Sequence, residues 1–257
     1  MKETTIVEKE RVETESATLI EGLPGLGMIG KIATEYLVKQ LGARRIAELY
    51  SPHFAYYVLV NKQGSIRLLR SVLHYWKNEK GRNDLIMLTG DSQAQTIEGQ
   101  YEVAGAILDF AQAKNVKLVV TIGGFRKEVE DEPQILVSAT NPVILHKALE
   151  AGAKDSPSGN PIVGTAGLLV GLAKLRKMDA ICLLVETSGY LSDPRAAKAV
   201  LNLLGKMLEL DVDLLGLDKE ILKSERIEER MKRIEEQRKI SAEKRRKMEE
   251  EKVSYIS

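Results

Sequence analysis

Cysteine is almost absent from this chain, and long hydrophobic stretches are missing from it altogether. Its one cysteine, Cys182, excludes an internal disulfide, and the apolar run 181–185 around it is typical of a small core residue. Apolar runs stay far below the about 18 residues that a membrane-spanning helix requires. Charged residues crowd the first eleven positions, so we expect no secretory signal sequence. These absences predict a soluble protein of the cytoplasm with no membrane partner.

An excess of charge of either sign is also missing. Lys and Arg number 38 against 37 Asp and Glu, which gives a formal net charge of +1. Because phosphate binding needs a basic face, this balance argues against a nucleic-acid partner. The one basic cluster, at 244–247, is flanked by glutamates. The sequence also lacks a serine nucleophile elbow, a Walker phosphate loop and Cys/His metal spacing. We therefore predict no catalytic, cofactor-binding or metal-binding residues.

The charge that the chain does have is concentrated near its C-terminus. Between Asp218 and Lys252, 24 of 35 residues are Asp, Glu, Lys or Arg, and neither Pro nor Gly occurs there. Acid-first pairs at i,i+4 spacing, such as Glu228 with Lys232, each stabilise a helix by about 0.2–0.5 kcal/mol. The pattern predicts an α/β body, residues 1–216, and a charged helical arm, residues 217–257, that ends in an apolar tip.

The arm has too few apolar residues to be a buried helix. Ile227, Met231 and Ile234 follow the 4-3 spacing of a coiled-coil seam, but Arg238 and Ser241 then interrupt the seam, which recovers only at Met248. A coiled coil needs about three to four sustained heptads. Two interpretations stay open: a spacer that carries the tip to a partner, or a solvated helix or disordered tail without a role.

Strand, loop and helix patterns alternate through most of the body. Two short apolar runs, 116–122 and 180–186, are typical of strands buried on both faces. Amphipathic helices are predicted at 97–113 and, behind a proline, at 194–209. A β-hairpin is predicted over 54–75. This alternation predicts an α/β fold with a largely parallel sheet and helices on both faces.

A glycine-rich loop follows the second predicted strand. Its Gly25-x-Gly27-x-x-Gly30 spacing opens a helix, the setting in which backbone N–H groups cradle a pyrophosphate. Glu48 stands near the distance expected for the acid that binds a ribose. Pro24 before the first glycine and the hairpin after Glu48 depart from that pattern. The alternative is that small residues let this turn pack tightly against a neighbour.

Two acidic residues lie at predicted strand ends, where ligands bind in open α/β sheets. Asp91 follows the strand 85–89, and Glu186 ends the strand 180–186. If the protein were an enzyme, these two residues would form its acid/base pair. The other interpretation is structural, since Asp and Ser after a strand commonly cap helices.

Four motifs, in this order, resemble those of the proteasome assembly chaperone family in its archaeal form. They are Gly22-Leu-Pro-Gly-Leu-Gly-Met-Ile-Gly30, Gly90-Asp-Ser-Gln93 with Gly99-Gln-Tyr-Glu102, Thr121-Ile-Gly-Gly-Phe125, and Glu186-Thr-Ser-Gly-Tyr190 with Asp193-Pro194. The resemblance covers about residues 17–210. It implies an α/β fold related to nucleoside phosphorylases, a homo-oligomer, no required cofactor, and ATP-independent binding of proteasome α subunits or their ring.

The same resemblance assigns partner binding to the end of the arm. In that family the C-terminal tail contacts the α-ring, often through a hydrophobic-Tyr-any-residue ending whose carboxylate enters a pocket between subunits. The predicted partner-binding residues are therefore Val253, Tyr255, Ile256 and Ser257. Tyr255 stands third from the end, where the family pattern has it second.

Two other classes of function stay open beside this prediction. One is an enzyme or nucleotide-binding protein, ligase-like or acting on a nucleoside, that uses the strand-end loops. The other is a structural partner of a second, paralogous chain, in which the arm serves the assembly of a hetero-oligomer. The first would depend on the body, whereas the second, like the chaperone prediction, depends on the arm.

Overall fold

The fold is built around one large sheet. The structure is a computed structural model that describes residues 1–79, 83–127, 132–189 and 191–254. In the last helix, only part of the side chains is described. The strands in these ranges are β1 Thr5–Glu8, β2 Ala17–Gly22, β3 Arg44–Tyr50, β4 Val58–Val60, β5 Ile66–Leu68, β6 Ser71–Trp76, β7 Asp84–Gly90, β8 Val116–Arg126, β9 Ile135–Ala139, β10 Lys154–Asp155 and β11 Asp179–Thr187. The helices are α1 Ile29–Gln40, α2 Ile97–Ala113, α3 Pro142–Ala151, α4 Thr165–Leu175, α5 Pro194–Leu208 and α6 Leu215–Ser254.

The main sheet is mixed, with a parallel centre. Its strand order is β1-β3-β6-β7-β2-β8-β11-β9-β10. The four central strands, β7, β2, β8 and β11, are parallel to one another. On one side β6, β3 and β1 join antiparallel, and on the other side β9 does. Parallel neighbours need a crossover of a dozen or more residues, whereas antiparallel neighbours do not. In the described residues between β3 and β7 there is no helix, and the strands there are accordingly antiparallel.

Helices cover both faces of this sheet, as the sequence predicts. On one face α2 and α4 bury Ile107 and Leu169 against the strands. On the other face α1, α3 and α5 bury Leu37, Ala148 and Leu201. Strands covered on both faces are apolar over their central residues, which explains the hydrophobic runs 85–88 of β7, 118–120 of β8 and 180–185 of β11. The predicted α/β class is confirmed.

Three helices begin at residues whose side chains cap them. Thr96, Asn141 and Asp193 each accept a hydrogen bond from the backbone N–H three residues further on, at 3.0, 3.1 and 2.9 Å. Pro142 and Pro194 occupy the first helical positions, where the missing N–H leaves no bond unmade. The helices predicted at 97–113 and 194–209 are therefore confirmed, with α5 ending one residue early.

The hairpin predicted over 54–75 is wrong in its extent. Only Val58–Val60 and Ile66–Leu68 pair, as a separate two-stranded sheet. Before β4, the chain turns, with the N–H of Phe54 bonded to the carbonyl of Ser51 and the Phe54 side chain buried. After β5, the chain turns back and pairs with β3 and β7 as β6. One long aromatic-rich segment is thus divided between the small sheet, here called the ribbon, and the main sheet.

The charged C-terminal segment forms helix α6, whose 40 residues span about 60 Å at 1.5 Å per residue. Its first turns lie against the body. Leu217 is fully buried, Asp218 forms an ion pair with Lys198, and the Ser224 hydroxyl donates to the Ser192 carbonyl at 3.0 Å. After Ser224, the described side chains of α6 make no hydrogen bond or ion pair with the body.

Candidate functional site

The glycine-rich loop is packed between the ends of two strands and the start of α5. A Cβ atom on Gly30 would lie 2.6 Å from the carbonyl oxygen of Ile122, and one on Gly124 would lie 2.7 Å from that of Leu26. The Gly27 carbonyl accepts a hydrogen bond from the Asp193 N–H at 2.8 Å. Real Cβ contacts are longer than this, so glycine is needed for close approach at these positions. The geometry favours the packing alternative over a phosphate cradle.

Glu48 does not complete a dinucleotide site. It lies on β3, which is separated from β2 by β6 and β7. Its carboxylate is paired with Lys9 at 3.3 Å, with Arg45 at 3.2 Å and with Arg70. Burial alone would raise the pKa of Glu48, but hydrogen bonds from Tyr50 and Lys9 and the nearby arginines lower it. Glu48 is thus surrounded by basic side chains and lies away from the glycine loop.

The structure does not bring Asp91 and Glu186 together. Asp91 follows β7 and Glu186 lies on β11, with β2 and β8 between them. Three strand spacings of about 4.8 Å separate the two positions by about 14 Å. Strand positions this far apart argue against the acid/base pair that these two residues would form if the protein were an enzyme.

Each of these carboxylates has its own local partners. Asp91 accepts from the Arg67 guanidinium at 2.9 Å and from the Arg70 N–H at 3.0 Å. Glu186 accepts from the Lys127 ammonium at 2.6 Å and from the Gln134 N–H at 3.1 Å. Burial opposes ionisation at both residues, yet these cationic and backbone donors outweigh it and lower both pKa values. Both side chains are therefore ionised structural anchors at neutral pH.

A polar network ties the glycine loop to the start of α4. The Gln93 amide donates to the Pro24 carbonyl at 2.7 Å, and its oxygen accepts from the Thr165 N–H at 3.1 Å. The Thr165 hydroxyl also lies 2.7 Å from the Gln100 side-chain oxygen. Gln93 and Gln100 belong to the second of the four motifs that carry the family resemblance, and Pro24 belongs to the first. Those motifs thus hold this edge of the sheet together.

Glu21 is an unusual group at this edge that the sequence did not single out. Its side chain is 2% exposed, and one carboxyl oxygen accepts from the Leu23 N–H at 3.2 Å. The other oxygen has no hydrogen-bond partner in the described part of the chain. Burial raises the pKa of Glu21 to about 8, so the carboxyl is neutral at pH 7. The only sequence signal is an acid at the end of the second predicted strand, residues 17–21.

The predicted partner-binding residues lie outside what the structure describes. Tyr255, Ile256 and Ser257 follow the last described residue, and for Val253 the description covers the helical backbone alone. Their role in partner binding stays a prediction. Nearer the body, three apolar side chains at 4-3 spacing are all partly exposed on α6: Ile227, Met231 and Ile234.

Within the described ranges, no group of three or more His, Cys, Asp or Glu side chains is arranged to hold a metal ion. Among the same residues, no helix combines the length and the apolar character needed to cross a bilayer.

The fold and the site define an α/β protein whose strand-end loops are occupied by its own side chains and whose body carries a long terminal helix. The model of the PAC2 family matches residues 19–235, most of the body and the first half of α6. The chain belongs to the PAC2 family. Among curated proteins it is similar to the uncharacterized protein MJ1210 of Methanocaldococcus jannaschii, with 34% identity over 201 residues, 78% of this chain and 77% of that protein.

Two solved structures from Pyrococcus furiosus are similar along nearly the whole chain. PbaB, described as an archaeal proteasome activator, has 40% identity and a TM-score of 0.86, and the match covers 90% of this chain and all of that one. PbaA, described as an archaeal homolog of proteasome-assembly chaperone, has 30% identity and a TM-score of 0.73, over 97% and 98% of the two chains. The predicted membership of the proteasome assembly chaperone family is confirmed.

Proposed function

We propose that this protein is an ATP-independent assembly chaperone or docking factor of the proteasome. It binds proteasome α subunits, or the ring they form, through the arm. The observation that carries this proposal is α6, which leaves the body after Ser224 and continues for about 30 residues, or about 45 Å, without a described polar contact to it. The descriptions of PbaB and PbaA place relatives of similar fold with the proteasome, which supports the choice of partner.

In this proposal the charged helix is a spacer and its tip is the contact. Val253, Tyr255 and Ile256 supply apolar surface, and Ser257 supplies a carboxylate. A few such groups bind weakly on their own. Several arms on one homo-oligomer would engage several equivalent sites of a ring at once, which can raise the overall affinity by about 10²–10⁴ when the geometry permits.

Native mass spectrometry of the protein with purified proteasome α subunits tests this proposal. The full chain is compared with a variant that lacks residues 226–257. The truncation keeps Leu217, Asp218 and Ser224, which are the contacts that attach α6 to the body. We expect a defined complex with the full chain and none with the truncated one.

A matched pair of point variants separates the tip from the spacer. Tyr255→Ala removes the aromatic group of the tip, and Ser254→Ala changes the neighbouring residue with little loss of apolar surface. We expect weaker binding for the first variant and unchanged binding for the second. If the truncated chain binds as well as the full chain, the arm does not take part in the interaction and the proposal is wrong.

A further inference from the structure

The ribbon presents an apolar face that nothing in the described structure covers. Val58 pairs with Leu68 and Val60 pairs with Ile66, so these four side chains share one face of the two-stranded sheet. All four are exposed, at 45–69%. The two residues that precede β4, Tyr56 and Tyr57, are exposed as well. The four side chains that share this face, together with the two adjacent tyrosines, are here called the ribbon face.

The opposite side of the ribbon is fixed to the body. Leu59 points away from the ribbon face and packs on the hydrophobic core beneath α2 and α4. Arg67, also on this inner side, binds the Asp91 carboxylate through two guanidinium nitrogens. The Asp91 N–H in turn donates to the Arg70 carbonyl at 3.0 Å. These anchors hold the ribbon in place and direct its apolar side outward.

The ribbon face has the size and composition of half a protein interface. Its two tyrosines and four aliphatic side chains expose roughly 600–800 Å² of surface. This area is as large as, or larger than, the largest apolar patch found on ordinary monomers. A stable interface buries about 800 Å² per partner, with an apolar centre, enriched tyrosine and a polar rim. The turn Asn61-Lys-Gln-Gly64 supplies such a rim.

The absence of charge on the ribbon face favours a second copy of this chain as the partner. In a two-fold contact each side chain lies near its own counterpart or a close neighbour, so a charge would meet the same charge. No Asp, Glu, Lys or Arg is among the six side chains. A partner of opposite charge or an anionic surface would be recognised by charges that this face does not have.

We propose that the ribbon face is the surface through which copies of this chain associate, two ribbons packing face to face. The inference rests on the proposed function, because it supplies the assembly that carries several arms. It also gives the Asp91–Arg67 pair a role, which is to hold the ribbon in the orientation that association requires.

Charge substitutions at one exposed position test the proposal without any proteasome component. Ile66→Glu and Ile66→Lys each place a charge on the ribbon face. The controls Val143→Glu and Leu175→Lys place the same charges at exposed apolar positions on α3 and α4, at helix ends where the sign suits the helix dipole. Light scattering after size exclusion gives the mass over a dilution series, and circular dichroism checks that each variant is folded.

We expect the wild type and both controls to associate, and each Ile66 variant to need at least about tenfold higher concentration for the same mass. Mixing the Glu and Lys variants, one of them isotope-labelled, is expected to restore association as mixed species in native mass spectrometry. That rescue requires the two ribbons to meet each other and distinguishes direct contact from a general loss of structure.

A wild type that is monomeric at every concentration overturns the proposal, as do Ile66 variants that associate like the wild type. A third outcome would also overturn the proposal: the wild type does not self-associate but binds neutral phosphatidylcholine vesicles, and Ile66→Glu abolishes that binding. The ribbon face would then contact a lipid surface. Because these readouts do not involve α subunits, the ribbon proposal and the arm proposal can fail independently.

Discussion

The unfolding free energy of the Glu21→Gln variant, measured relative to the wild type, should increase as the pH rises. The Glu21 carboxyl is buried at the end of β2, with one oxygen bonded to the Leu23 N–H and the other without a described partner. Burial raises its pKa from 4.5 to about 8. In the unfolded chain the same carboxyl loses its proton near the ordinary value. Folding at pH 7 therefore requires the uptake of a proton, and glutamine, which is neutral at every pH, does not need one.

The size of the effect follows from that difference in pKa. One pKa unit corresponds to about 1.36 kcal/mol, so the full difference of about 3.5 units is worth about 5 kcal/mol. Because the folded-state pKa is the higher one, this stability is fully present below about pH 4.5 and is lost progressively until about pH 8. Because pH 7 lies about 2.5 units above the unfolded-state pKa, about 3 kcal/mol of this stability has been lost at pH 7. The amide group brings two donors into a site with few acceptors, a cost of about 1–3 kcal/mol that does not depend on pH.

Urea unfolding of both proteins from about pH 5 to about pH 9 measures the difference in unfolding free energy. Titrations common to both proteins cancel in that difference. We expect Glu21→Gln to gain several kcal/mol relative to the wild type across the range and then to level off. Glu13→Gln, which removes an exposed carboxylate, is the control and should follow the wild-type curve. A difference between Glu21→Gln and the wild type that is constant with pH would refute the raised pKa.

Two further substitutions test the structural roles assigned to the strand-end motifs. Gly30→Ala places a Cβ atom 2.6 Å from the Ile122 carbonyl oxygen and should lower the unfolding free energy, measured in urea, by more than about 2 kcal/mol. The control Gly171→Ala lies in α4 with open space around it and should raise the unfolding free energy by about 0.5–1 kcal/mol. Equal effects of the two substitutions would contradict the packing role of Gly30. Asp91→Asn weakens the tie to Arg67, a partly exposed pair, so we expect a loss of about 1–2 kcal/mol together with weaker self-association, and unchanged self-association would separate Asp91 from the ribbon.

The secondary structure of the body could largely be predicted because its signals are local. The caps Thr96, Asn141 and Asp193 and the prolines after two of them fix where helices begin, and short apolar runs mark the strands. The division of 54–75 between ribbon and main sheet could not be predicted in this way. It depends on the anchoring of Arg67 and Arg70 by Asp91, and Asp91 comes 21 residues after Arg70 in the chain.

The candidate site was predicted less well, because it depends on strand order rather than on chain order. Asp91 and Glu186 each stand at a strand end, and the sequence gives no sign that β2 and β8 lie between them. The partners of Glu48 come from three different segments, at Lys9, Arg45 and Arg70. The burial of Glu21 is likewise a property of the packed sheet. Spacing motifs identify chemistry only when their residues meet, and here they do not.

The edge of the sheet where α/β proteins commonly bind ligands is occupied in this protein by its own polar groups. Gln93 reaches the Pro24 carbonyl, Asp193 bonds to the Gly27 carbonyl, and the carboxylates of Asp91 and Glu186 hold basic side chains. Groups that are already paired have little left to offer a substrate. Among the residues that the structure describes, two projecting elements carry unpaired surface: the apolar outer side of the ribbon and helix α6 beyond Ser224. The two experiments on association address these two elements directly.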